Sequence, residues 1–113
     1  MNTVIENINR IELVGRIGNV SVTKVGDTEV VRMSVATTYG YTNIDKEKVY
    51  ETTWHNVTAW KGEKVTEDTM HKLKKGVDVR VVGRLRAYRF VNADGSEVRG
   101  YEVVAHEIEI VQE

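Results

Sequence analysis

Trp54 and Trp60 stand six residues apart, with Asn56 and Thr58 at the even positions between them. Successive side chains of an extended strand point to opposite sides, so these four share one face, while Val57 and Ala59, along with His55, suit the other. Two large rings with small polar groups between them make a poor core and a good platform. The segment from Val77 to Val91 repeats the arrangement: Val77, Val79, Val81 and Leu85, with Gly83 among them, form a core side. Arg80, Arg84, Arg86, Tyr88 and Phe90 take the other side, provided that no bulge intervenes. Rings flanked by guanidinium groups suit unpaired bases. A stack on an aromatic ring is worth about 1–3 kcal/mol whatever the base, and arginines neutralise phosphates with release of counterions. The plainer reading is aromatic side chains in a core and arginines merely solvated. It requires both faces of the same strands to be buried, which a domain this small does not support.

The elements that must carry these residues are strands. Ile11–Ile17 reads as a strand ending in a glycine bend, followed by a short strand over Val20–Val25 and a turn at Gly26-Asp27. Longer strands are expected over Glu29–Tyr39, Val49–Trp60, Val77–Val91 and Glu97–Val111, with a polar loop over Gly40–Lys48 and a turn at Asn92–Gly95. Thr66–Lys75 departs from the alternation. Thr66 suits an N-cap, Glu67 and Asp68 the first turn, Lys72, Lys74 and Lys75 the end, and Gly76 the stop of a short helix. The sum is an all-β, five-stranded OB-fold barrel with one short helix between strands 3 and 4. The absence of proline suits long ladders. No internal repeat, linker or low-complexity tail is evident.

The 113 residues form one domain spanning 1–113, and assembly with further copies would help to stabilise so small a core. With no cysteine, disulfides, cysteine zinc sites and thiol nucleophiles are excluded, which fits a reducing compartment. No apolar window reaches the roughly 18 residues of a membrane span, so no membrane partner is expected. The start, Met-Asn-Thr-Val-Ile-Glu, lacks the basic and hydrophobic regions of a signal peptide, so the expected address is the cytoplasm, on the nucleoid. The net charge of −1 does not exclude nucleic acid, because phosphates respond to a local basic stripe. His55, His71 and His106 show no metal-ligand spacing, and there is no glycine-rich phosphate loop or nucleophile motif. No catalytic residue, metal or cofactor is expected, and the chain reads as a binding protein rather than an enzyme.

Five segments, in order, carry a family pattern: Asn9–Gly18, Ser34–Thr37, Glu51–Val57 with its Trp-His-x-Val run, Leu73–Gly76 and Val81–Arg86. Together they resemble the bacterial single-stranded-DNA-binding proteins over nearly the whole span from Asn9 to Val111. The resemblance implies sequence-tolerant binding and protection of single-stranded DNA during replication, recombination or repair. It implies base stacking at Tyr41, with Tyr39 as neighbouring candidate, and at Trp54, Trp60 and Phe90; Tyr88 joins them from its strand face. Phosphate contacts would come from Arg10, Arg16, Arg32, Lys61, Arg86 and Arg89, with Arg84, Lys24, Lys48 and Arg99 as further candidates. His55 falls at the family's subunit interface and reads as structural. A homotetramer is implied, with a dimer second.

Two departures accompany the resemblance. Asn56 stands where the family often has a basic residue. The sequence ends at Val111-Gln112-Glu113, where family members continue into a glycine-rich linker and an acidic tip, so recruitment of replication and repair enzymes is not carried over. The competing readings are a PriB-like OB-fold accessory protein of replication restart and a cold-shock-like RNA-binding barrel. The Trp-His-x-Val run favours the first reading over the former, and the latter lacks its aromatic RNP-type stretch.

Overall fold

The computed structural model describes residues 6–112; Met1–Ile5, where the reading of the N-terminus falls, and Glu113 lie outside the described residues. The strands are β1 (Ile11–Val25), β2 (Thr28–Thr42), β3 (Lys48–Trp60), β4 (Asp78–Val91) and β5 (Glu97–Gln112), with the helix α1 (Glu67–Lys72) between β3 and β4. They close into a barrel in the order β1-β2-β3-β5-β4, with β3 and β5 parallel and the other described pairings antiparallel. The fold is therefore the all-β, five-stranded barrel with one short helix that the alternation implies.

One residue in two along each strand fills the barrel. Val31, Met33 and Val35 of β2 meet Val57 and Ala59 of β3, Val79 and Val81 of β4, and Val103, Ala105 and Ile108 of β5. Val65, Met70 and Leu73 close one end from the helical segment. Each such valine is buried, which is worth roughly 1.5–3 kcal/mol apiece.

Four local features differ from the sequence reading, each for a physical reason. Gly18 does not end a strand: Ile17 pairs with Val35 and Asn19 with Ser34, so Gly18 is the extra residue of a β-bulge inside one continuous β1. The expected loop over 40–48 is mostly ladder, because β2 runs to Thr42 and β3 starts at Lys48. Thr66 does cap the helix, its Oγ1 accepting from the Thr69 N–H at 3.2 Å. The helix nevertheless stops at Lys72, because Leu73 turns extended and enters the core. Leu85 keeps core parity but lies past the end of the barrel and is 40% exposed. The irregularities of the β4–β5 ladder skip His106 and Val111, both in β5. The alternation of β4 therefore survives intact.

Candidate nucleic-acid interface

The ladders assign the outer face row by row. Thr23, Val30 and Trp60 share one row; Ser21, Arg32 and Thr58 the next; Asn19, Ser34 and Asn56 the third. Ala36 then pairs with Trp54, Thr38 with Thr52, and Gly40 with Tyr50. From Tyr50 to Trp60, β3 thus displays Trp54, Asn56 and Thr58 in line over about 33 Å of strand.

Trp54 is 59% exposed and Trp60 46%. The Trp54 ring tip fills the space above the bulge glycine: a Cβ on Gly18 would stand 2.8 Å from Trp54 Cη2 and closer still to Cζ3. Only glycine leaves that seat open. The same device recurs at the cross-strand pair Tyr88 and Gly100, where a Cβ on Gly100 would stand 2.6 Å from Tyr88 Cζ. The Trp54 ring reaches across β2 to sit on β1, which restricts its motion while leaving most of the ring open to solvent.

A groove of about 710 Å³ adjoins this face. Its sheet side is formed by Asn19, Ser21, Arg32, Ser34, Asn56 and Thr58, and its other wall by Tyr88, Phe90 and Glu102 from the β4–β5 hairpin. The Tyr88 and Phe90 rings stack on each other with centroids 6.2 Å apart and planes 14° from parallel. A second groove, about 570 Å³, surrounds Trp54 and includes Arg16, Gly18, Thr38, Thr52 and Lys75. The two adjoin at the step from Trp54 to Asn56.

The cations expected to meet phosphates fall into two groups. Arg10, Arg32 and Arg84 are exposed and have no carboxylate partner among the described residues. Arg16, Arg86, Arg89, Arg99 and Lys61 are paired. Arg16 Nε donates to Asp78 Oδ1 at 3.0 Å, and this hydrogen bond, then the charge of Asp78, raises the guanidinium pKa above its ordinary value. Arg86 Nη1 lies 3.0 Å from Glu102 Oε1, Arg89 and Arg99 share Glu97, and Lys61 Nζ lies 3.4 Å from Glu67 and 3.9 Å from Glu29. Lys24 and Lys48 are exposed near the two ends of β2 and its partners. The basic stripe is thus partly satisfied by the protein's own acids.

Tyr39 and Tyr41 are carried on the other side of the β2–β3 ribbon from Trp54. Their parity is that of Val35 and Thr37, and their rings lie 6.0 Å apart at 28°. Tyr41 donates to Glu51 Oε1 at 3.4 Å. Half-buried His55 lies on that same side, its Nε2 2.8 Å from Thr37 Oγ1. Tyr50, by contrast, shares the Trp54 face and is 67% exposed. Sequence reasoning missed it, although the even step from 50 to 54 carries the signal. Among the described residues no group of three or more His, Asp or Glu side chains is placed to hold a metal ion, and no helix is long and apolar enough to cross a membrane.

Residues 8–111 match the model of the single-strand binding protein family. The chain is 32% identical over 107 residues to the single-stranded DNA-binding protein of Neisseria meningitidis serogroup A, covering 93% of this chain and 60% of that protein. It is 33% identical over 106 residues to the protein of that name from Xanthomonas axonopodis pv. citri, covering 92% of this chain and 58% of the relative. The chain therefore spans about 60% of the length of these relatives. Among solved structures, the Plasmodium falciparum SSB in complex with ssDNA superposes with a TM-score of 0.81 at 22% identity, covering 98% of this chain and 99% of that one. The small single-stranded DNA-binding protein of Streptomyces coelicolor follows the same fold, with a TM-score of 0.71 at 21% identity over 93% of this chain and 95% of that one. Matched along nearly its whole length, and at this level of identity, the chain belongs to the single-strand binding protein family.

Proposed function

We propose that this chain binds single-stranded DNA without reading its sequence, along a path from the Trp54 groove into the groove walled by Tyr88 and Phe90. The observation that carries this reading is the outer face of β3: Trp54 seated over Gly18 and open to solvent, continuous with a groove that holds a second ring pair and the unpaired Arg32. Bases stack on Trp54, Phe90, Tyr88 and Trp60, with Tyr50 extending the line; Tyr39 and Tyr41 lie off this path. Arg10, Arg32 and Arg84 meet phosphates directly. Arg16, Arg86, Arg89 and Lys61 do so by exchanging a carboxylate for a phosphate. No bond is made or broken, so binding and protection are the whole activity. The Plasmodium relative, described with ssDNA bound, supports the reading.

The test is titration with oligo-dT. Stacking on Trp54 and Trp60 should quench tryptophan fluorescence strongly, with affinity falling steeply as salt rises. Trp54→Ala should weaken binding by about 1–3 kcal/mol with little change in thermal stability. Absence of quenching at low salt, or unfolding of Trp54→Ala, refutes the proposal. We further propose a homo-oligomer, a tetramer before a dimer, supported by exposed apolar side chains such as Ile8 and Val14. Light scattering that finds monomers with and without oligo-dT rejects that part.

A further inference from the structure

Glu102 stands in the wall of the larger groove, beside Tyr88 and Phe90, where a strand's phosphates would pass. An anion there is unexpected if the groove exists to receive a polyanion. Its side chain is only 18% exposed, and both of its oxygens are used. Oε1 accepts from Arg86 Nη1 at 3.0 Å, and Oε2 accepts from Thr58 Oγ1 at 3.1 Å. Arg86 and Glu102 are directly opposed across the β4–β5 ladder, while Thr58 reaches over from β3. A cation and a hydroxyl gripping two oxygens of one anion is also how a phosphate diester would be held at this spot.

We infer that Glu102 is a built-in competitor of the DNA phosphate: it occupies Arg86 and Thr58 in the free protein and yields them when a strand enters. The inference rests on the single-strand reading above. Arg86 is 54% exposed, so its pairing with Glu102 is screened by solvent and held weakly enough to be exchanged. The exchange costs affinity and eases release. The groove therefore binds less tightly than its rings and cations would allow, as suits a protein that must let its strand go. The opposing view makes Glu102 a structural brace that holds Arg86 ready for DNA. The two views predict opposite signs for its neutralisation.

Glu102→Gln keeps the shape and an acceptor for Thr58 but frees Arg86. Binding to fluorescently labelled oligo-dT is measured across a salt series beside the wild type and Glu109→Gln. Glu109 is on the same strand, pairs with Arg80 and lines neither groove, so it controls for net charge. Glu102→Gln should bind roughly two- to fivefold more tightly, the scale of one solvent-exposed ion pair. Its salt slope should steepen by about 0.7, the counterion a single-strand phosphate releases, because no freed Glu102 carboxylate takes one up in return. Glu109→Gln should leave the slope unchanged. Equal or weaker binding by Glu102→Gln, where the wild type binds, overturns this inference alone; a wild type that does not bind overturns it together with the single-strand reading. If Glu102→Gln does not fold, the wild type decides: its Glu102 carboxyl carbon resonance should move when oligo-dT is added, and an unmoved resonance overturns the inference.

Discussion

Tyr39–Glu47 and Tyr88–Ser96 are two versions of one hairpin end. Each runs aromatic, spacer, aromatic, spacer, Asn, and then Asp two residues later. Their turns close with matching bonds. Asn43 N–H donates to Glu47 O at 2.9 Å and Asn92 N–H to Ser96 O at 2.8 Å; Lys46 N–H donates to Asn43 O at 3.0 Å and Gly95 N–H to Asn92 O at 2.9 Å. Lys46 and Gly95 occupy the same left-handed position, at φ 64° and 90°. Even the ring pairs match, at 6.0 and 6.2 Å. Yet only Tyr88 and Phe90 line the groove. Parity decides this. Tyr39 follows the core residue Val35 by four positions, an even step that keeps it on the interior side of its ribbon. Tyr88 follows the core residue Val81 by seven, an odd step that turns it outward. One local design serves two sides of the barrel because the strands leading to it differ in length by an odd number of residues.

Truncating the matching rings tests whether parity decides which of them meet DNA. Phe90→Ala should weaken oligo-dT binding by about 1–3 kcal/mol. Tyr41→Ala, at the same place in its hairpin, should cost much less. Neither should shift the melting temperature greatly, since both rings are exposed. Equal losses in affinity would mean that the β2–β3 ribbon turns its interior side to the strand, and that parity within the ladder does not govern which rings reach DNA.

Strand parity was legible in the sequence beforehand. Period-two alternation is local, so Trp54, Trp60, Tyr88 and Phe90 could be placed on an outer face from their own strands alone. Tyr50 obeys the same rule. What depends on lateral neighbours could not be read this way. The seat beneath Trp54 belongs to Gly18, and the contact exists only because a bulge in β1 lies two strands from β3. The pairing of Arg86 with Glu102 needs the hairpin register. A basic stripe read from one strand's faces therefore overstates how many of its cations are free. The helix ends earlier than Lys74 and Lys75 suggest for a related reason: burial of Leu73 outweighs local propensity and stops it at Lys72.

A smaller effect should appear at the left-handed turn position. A non-glycine residue in that conformation costs about 1–2 kcal/mol, and Lys46 bears this cost where Gly95 does not. Lys46→Gly should therefore stabilise the domain by up to about 1 kcal/mol, less what glycine loses in chain entropy. Gly95→Ala should destabilise it by about 1 kcal/mol. Denaturant titration of both variants checks the pair. If both substitutions move stability in the same direction, the two turns are not equivalent.

The smallest difference is one of acid response. In the β2–β3 turn the side-chain acceptor is Asn43, whose Oδ1 takes the N–H of Asp45 at 3.0 Å and of Glu47 at 2.9 Å. In the β4–β5 turn it is Asp94, whose Oδ1 takes the Ser96 hydroxyl at 2.6 Å and its N–H at 2.9 Å. The hydroxyl first, then the backbone N–H, hold the Asp94 carboxyl below the ordinary aspartate value. A carboxyl lowered on folding stabilises the fold above its unfolded-state pKa and loses that contribution as pH falls through its folded-state pKa. An amide acceptor does not titrate in this range. Acid should thus loosen the turn beneath Tyr88 and Phe90 while the Asn43 turn holds, and Asp94→Asn should remove the difference. Amide exchange at Ser96 and Glu47, followed from neutral pH downward with the intrinsic pH dependence divided out, reads both turns in one sample. Protection lost at both amides together would show that acid acts on the barrel as a whole rather than on the one carboxylate that separates these hairpins.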